Sequence, residues 1–120
     1  MIQVTPQTRV LVAVEPADFR RGIDGLAQAC RAVLRSDPMG GTVFVFRNRR
    51  RTAIKVLLYD GQGVWLCHKR LSQGRFRWWP ASTDPGATLR AHELQVLLWG
   101  GDPTATSAPP DWRRVSTPAA

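Results

Sequence analysis

TVFVFRNRRRTAIKVLLYDGQGVWLCHKRLSQGRFRW, residues 42–78, is the stretch whose reading decides the fold. Val43-Phe44-Val45-Phe46 is a β-branched and aromatic run, and Arg47-Asn48-Arg49-Arg50 is a polar turn. Ile54, Val56 and Leu58 then alternate with Lys55, Leu57 and Tyr59. A period of two specifies strands, and Asp60-Gly61-Gln62-Gly63 supplies turn residues suited to positive φ. Val64 to Leu71 returns antiparallel, after which Ser72-Gln73-Gly74 turns the chain into an expected short last strand around Phe76 to Trp78. The stretch therefore reads as an antiparallel β-meander.

Working outward, Arg9 to Val14 is a short β-branched run stopped by Glu15-Pro16, and it reads as one buried strand. Ile23, Leu26, Ala27, Cys30, Val33 and Leu34 recur at intervals of three and four, which predicts a helix over 24–35. Asp24 or Asp18 is the expected cap, and Asp37-Pro38 closes the segment before Gly40-Gly41. Downstream, 80–86 reads as a connector. Leu89, Glu93, Leu94, Val96, Leu97 and Leu98 fit a short second helix ended by Gly100-Gly101. The fold class is α+β: a small antiparallel β-meander of three to five strands, one main helix packed on one face, and a short C-terminal helix. With the helix on one face, the other face of the sheet is expected to be available to a partner. Residues 1–101 form a single expected domain, and the Pro-, Ala-, Ser- and Thr-rich 102–120 an expected disordered tail, with Trp112-Arg113-Arg114 an island in it.

The charge is local. Residues 47–77 carry nine Lys/Arg against one acid, Asp60, so the net +8 of this 120-residue chain belongs to that stretch. Like charges so concentrated repel one another and suit a polyanion. The basic set is Arg47, Arg49, Arg50, Arg51, Lys55, Lys69, Arg70, Arg75 and Arg77. Arginine outnumbers lysine in it, and guanidinium offers bidentate phosphate or guanine contacts that ammonium does not. These residues are the expected nucleic-acid-binding site, against the plainer reading of a solvated charged face.

Aromatic residues interleave with the charge: Tyr59, Trp65, Phe76, Trp78 and Trp79. Trp65 next to a hairpin turn is expected in the core. Trp78 and Trp79 would point to opposite faces of an extended segment, making one of them a base or partner contact. No run of about 18 apolar residues and no signal-peptide pattern is present, so a cytoplasmic protein with no membrane partner is expected. Cys30 and Cys67 lie outside any C-x-x-C spacing and read as buried thiols. The acids Asp18, Asp24, Asp60, Asp84 and Glu93 show no metal-binding spacing, and His68 and His92 lack a partner set. No catalytic residue, metal or cofactor is expected.

Asp18-Phe19-Arg20-Arg21-Gly22-Ile23-Asp24-Gly25-Leu26, Asp37-Pro38 and Phe44 to Arg51 closely resemble the TnpB/Orf2-like accessory protein of the insertion-sequence-sixty-six type of bacterial transposon. The resemblance continues through Ile54 to Leu57, Tyr59-Asp60-Gly61, Trp65-Leu66, Lys69-Arg70-Leu71, Gly74-Arg75-Phe76 and Trp78. It implies a non-enzymatic accessory protein acting beside a separate DDE-type transposase, with transposon-end DNA and the transposase as expected partners. The alternatives are a module that binds an acidic transposase surface without touching DNA, and a single-stranded nucleic-acid binder. Asp18, Arg20 and Arg21 form a motif with two readings: an internal Asp–Arg interaction that fixes the helix entry, or a partner contact.

Overall fold

The computed structural model describes residues 5–105. The strands are β1 (Val10–Ala13), β2 (Val43–Arg47), β3 (Ala53–Tyr59), β4 (Val64–Arg70) and β5 (Gly86–Leu89), and the helices are α1 (Ile23–Ala32) and α2 (Ala91–Leu98). One five-stranded sheet has the order β4-β3-β2-β1-β5. The meander β2-β3-β4 is antiparallel, as its alternation and turn chemistry specify. β1 pairs with β2 in parallel, and α1 is the crossover that such a pairing requires.

Alternating side chains build two cores. On one face Val10, Val12, Val43, Val45, Ile54 and Leu58 pack with Phe76, Trp79, Leu94 and Leu97; on the other Leu11, Ala13, Phe44, Phe46 and Leu57 pack with Leu26, Ala27 and Cys30 of α1. The expectation of one open sheet face is thus corrected: α2 and the segment after β4 cover the face that α1 does not. The central strands are buried from both sides, which explains why Val43–Phe46 is a continuous apolar run.

Several boundaries differ from the sequence reading. No strand forms at 76–78. The segment instead leaves the edge and crosses the sheet, with Phe76 N–H donating to Arg51 O at 2.7 Å and Trp79 Nε1 donating to Ala13 O at 2.9 Å. The fifth strand is β5, drawn partly from the expected connector and pairing antiparallel with β1. Gly86 sits on it where a Cβ would lie 3.1 Å from Leu11 and 3.2 Å from Leu34, so glycine lets those two side chains pack closely against the strand. Helix α1 starts at Ile23 after Gly22, whose N-cap position has no side-chain hydrogen bond; neither Asp24 nor Asp18 caps it. It ends three residues earlier than expected, because Arg35 adopts φ 52 and Ser36 N–H turns back to Cys30 O at 2.9 Å. At α2 the Glu93 carboxylate accepts from Arg90 N–H at 2.7 Å, half of a capping box. A 3₁₀ turn forms at Pro103–Ala105, with Pro103 buried. The rest of the expected tail, Trp112-Arg113-Arg114 included, lies outside the described residues.

Candidate nucleic-acid interface

The β2–β3 turn is built by Asn48. Its Oδ1 accepts from Thr52 N–H at 2.9 Å and Ala53 N–H at 3.1 Å, and its Nδ2 donates to Thr52 Oγ1 at 2.8 Å. Arg51 N–H closes the turn onto Asn48 O at 3.2 Å, with Arg51 in the left-handed region at φ 59. Asparagine serves here because its side-chain oxygen accepts from backbone N–H donors that a tight turn would leave unpaired. Two further chain segments meet this tip. Ala53 pairs across the sheet with Arg70, Leu71 N–H donates to Thr52 O at 2.9 Å, and Arg51 Nη1 donates to Arg77 O at 3.5 Å. Arg49, Arg50, Arg51, Arg70, Arg75 and Arg77 are therefore carried to one end of the sheet by separate elements. Of these, Arg51 is half-buried and the other five are exposed.

The remaining members of the basic set have other roles. Lys55 is 7% exposed, and its ammonium donates to Phe19 O at 2.8 Å and Arg21 O at 3.0 Å while lying 5.0 Å from the Phe19 ring. It ties β3 to the loop before α1 and leaves the surface set. The sequence held a signal for this: Lys55 shares a strand face with Ala53 and Leu57, so alternation assigns it to the α1 side. Arg47 is half-buried, donates to Asn48 O at 3.2 Å and Val14 O at 3.4 Å, and lies 5.8 Å from the Trp79 ring. Burial first, then the neighbouring Arg51 charge, lowers its pKa; its Nε is buried without an acceptor among the described residues. Lys69 is exposed but donates to Leu98 O, with its Nζ 5.0 Å from the Trp99 ring.

The aromatic expectations divide in the same way. Trp79 is 5% exposed and belongs to the core, while half-buried Trp78 packs against the same cluster, so the two do not serve opposite faces. Trp65 is 42% exposed, a correction to its expected core position. β4 is an edge strand, and the indole lies on it with Nε1 donating to Asp60 Oδ2 at 2.7 Å. Asp60 Oδ1 accepts from Gln62 and Gly63 N–H, each at 2.9 Å, so one carboxylate fixes the β3–β4 turn and the tryptophan together. Those donors, Gly63 first, then Gln62, then Trp65, hold the carboxyl down at about 2. Cys67 is exposed rather than buried, again because its strand is at the edge; Cys30 is buried in the core under α1.

Beside the tip lies a cleft of about 560 Å³, lined by Pro16, Ala17, Asp18, Phe19 and Arg20 on one side and Asn48, Arg49 and Arg50 on the other. Ala17 N–H donates to Arg47 O at 2.9 Å, and with the Lys55 tie this holds the loop against the hairpin. Asp18 accepts from Arg20 N–H at 3.0 Å, Nε at 3.1 Å and Nη2 at 2.9 Å. The internal Asp–Arg interaction is present, and it is the one ion pair among the described residues. Hydrogen bonds from Arg20, side chain then backbone, hold the Asp18 carboxyl down at about 2. Arg21 contributes its carbonyl to Lys55. Among the described residues no group of three His, Cys, Asp or Glu side chains could hold a metal ion, and no helix is long and apolar enough to cross a membrane.

The family model described as IS66 Orf2 like protein matches residues 8–108, and the chain belongs to that family. It is 34% identical over 110 residues to the uncharacterized protein y4jC of Sinorhizobium fredii, covering 92% of this chain and 93% of that protein. It is 37% identical over 102 residues to the uncharacterized protein y4hO of the same organism, covering 85% of this chain and 88% of that protein. No solved structure matches it.

Proposed function

We propose that this member of the IS66 Orf2-like family is a non-enzymatic, DNA-binding accessory protein for transposition of its insertion element, acting in the cytoplasm with a separate DDE-type transposase. One observation carries the reading. Arg49, Arg50, Arg51, Arg70, Arg75 and Arg77, drawn from separate segments, converge on one end of the sheet, and none has an ion-pair partner among the described residues. A cluster of uncompensated guanidinium groups on a braced turn raises the local potential and suits phosphate. Its arginines can grip phosphate bidentately. Among the described residues no three acids or histidines gather into a metal-binding group, and two of the acids are engaged otherwise, Asp18 with Arg20 and Asp60 with its turn. Strand cleavage or transfer is accordingly assigned to the transposase, and the purified chain is expected to nick no transposon-end DNA with magnesium or manganese.

Duplex binding measured against salt tests this. With about four to six phosphates neutralised, log K falls against log salt with a slope of roughly −4 to −5. The double change Arg49→Ala and Arg50→Ala lowers the slope by about two units and leaves the fold intact, since both side chains are exposed. No duplex affinity at low salt would overturn the reading in favour of an acidic protein surface as the partner of the same arginines.

A further inference from the structure

Trp65 and Trp99 are 42% and 84% exposed, while the core takes its large aromatics from Phe44, Phe46, Phe76 and Trp79. Register fixes where they lie. Trp65, Cys67 and Lys69 pair with Leu58, Val56 and Ile54, so the three share the sheet face that α2 covers farther in. Trp99 follows α2 directly and its ring lies 5.0 Å from the Lys69 ammonium, which also donates to the carbonyl of Leu98. The outer strand thus carries an indole, a thiol and an ammonium in a row, ended by a second indole. Trp65 and Lys69, four residues apart, are separated by about 13 Å along the strand.

Each indole is oriented by a polar contact: Trp65 by the Asp60 carboxylate at 2.7 Å, Trp99 by the Lys69 cation. Such contacts fix a ring without burying it and reduce the rotamer freedom that a ligand would otherwise have to freeze. Arg70, paired with Ala53, lies on the opposite face of β4 from Lys69, at the end of the strand that reaches the arginine-rich tip.

We propose that Trp65, Lys69 and Trp99 form a platform on which unpaired bases of single-stranded DNA stack, with Lys69 taking an adjoining phosphate. The proposal rests on the DNA-binding reading and extends it to a second surface continuous with the tip. Every base has a π-face, so the site is tolerant of sequence. The Lys69 ammonium in this row supplies an attraction to phosphate that an apolar protein-docking face would lack. The Asp60 carboxylate offers a base little competition, because its oxygens already accept three donors.

The test compares a short oligodeoxythymidylate with a duplex of equal length, on the full chain at fixed low salt, by anisotropy and tryptophan fluorescence. Trp65→Ala and Trp99→Ala are each expected to weaken oligodeoxythymidylate binding about 5- to 150-fold and to leave duplex affinity unchanged. Trp99→Ala is the safer variant for folding because that side chain is so exposed, and its melting temperature is checked in parallel. On the wild-type chain, saturating oligodeoxythymidylate is expected to slow the reaction of Cys67 with a maleimide. Absence of oligodeoxythymidylate binding, retention of it in the double tryptophan variant, or undiminished Cys67 reactivity in the complex overturns the platform. Binding to the single strand through the tryptophans without duplex binding leaves the platform standing and removes the hairpin-tip reading. The reverse pattern does the opposite.

Discussion

Replacing Lys55 with methionine isolates what a buried ammonium contributes to this fold. The side chain makes two hydrogen bonds to main-chain carbonyls, Phe19 O and Arg21 O, and lies over the Phe19 ring. Hydrogen bonds involving a charged group contribute about 1.5–3 kcal/mol each, and a partly exposed cation–π contact about 0.5–1 kcal/mol. Their gross loss is therefore about 3.5–7 kcal/mol. Methionine keeps the methylene stem in place and removes the cost of desolvating the ammonium, and the Arg21 carbonyl, on an exposed residue, regains water. The net loss is about 2–4 kcal/mol, a large share of the roughly 5–15 kcal/mol that stabilises a typical domain. With about 4–5 °C per kcal/mol for a domain of this size, the melting temperature falls by about 8–20 °C. Chemical unfolding gives the free energy, and amide exchange in 18–22 gives the local effect. Arg50→Ala, on an exposed side chain, stays within about 0.5 kcal/mol and serves as the control. A loss below about 1 kcal/mol with unchanged exchange would refute the tie, and a duplex-binding defect at full stability would return Lys55 to the DNA surface.

Three other perturbations follow. Arg35→Gly relieves a left-handed backbone at φ 52 on an exposed residue and is expected to stabilise by about 0.5–1 kcal/mol in urea unfolding; destabilisation would mean that the Arg35 side chain contributes a contact of its own. A thiol reagent at pH 8 is expected to modify Cys67 quickly and Cys30 only on unfolding, because burial pushes the Cys30 thiol up to about 12; two equally fast thiols would contradict the core placement of α1. Asp60 has its folded pKa depressed, so its contribution is complete above the ordinary value of 3.8 and is lost as pH falls toward about 2. The indole N–H resonance of Trp65 should report that midpoint, and a transition near 4 would show the turn to be unbraced.

The meander was legible because its information is local: alternation, Asn48 at one turn and the Asp60–Gly63 turn at the other. β5 was not, because a four-residue strand reading Gly-Ala-Thr-Leu has no pattern of its own and exists through pairing with β1, far away in sequence. The exposure of Trp65 and Cys67 was hidden for a related reason. A strand's own residues do not say whether it lies inside a sheet or at its edge, and β4 is at the edge. Trp78 and Trp79 misled because opposite-face alternation holds only for an extended strand, and this segment leaves the sheet edge to cross its face.

Charge counting carried the candidate site only part of the way, and the arginines of 47–51 show why. Arg47 is turned inward against Val14 O and Trp79, and Arg51 closes the turn with a left-handed backbone and reaches Arg77 O. Arg49 and Arg50, between them, are exposed and have no ion-pair partner among the described residues. Composition cannot separate the two kinds, since both add one charge to the same short run. Their mechanical relation does separate them: Arg47, turned inward, and the Arg51 backbone fix the loop that displays Arg49 and Arg50, so the displayed guanidinium groups ride on a backbone that need not be ordered again on binding. Alanine at all four positions would therefore confuse a lost phosphate contact with a collapsed turn. A weakened affinity means a phosphate contact only when the Arg49 and Arg50 changes alone produce it at an unchanged melting temperature.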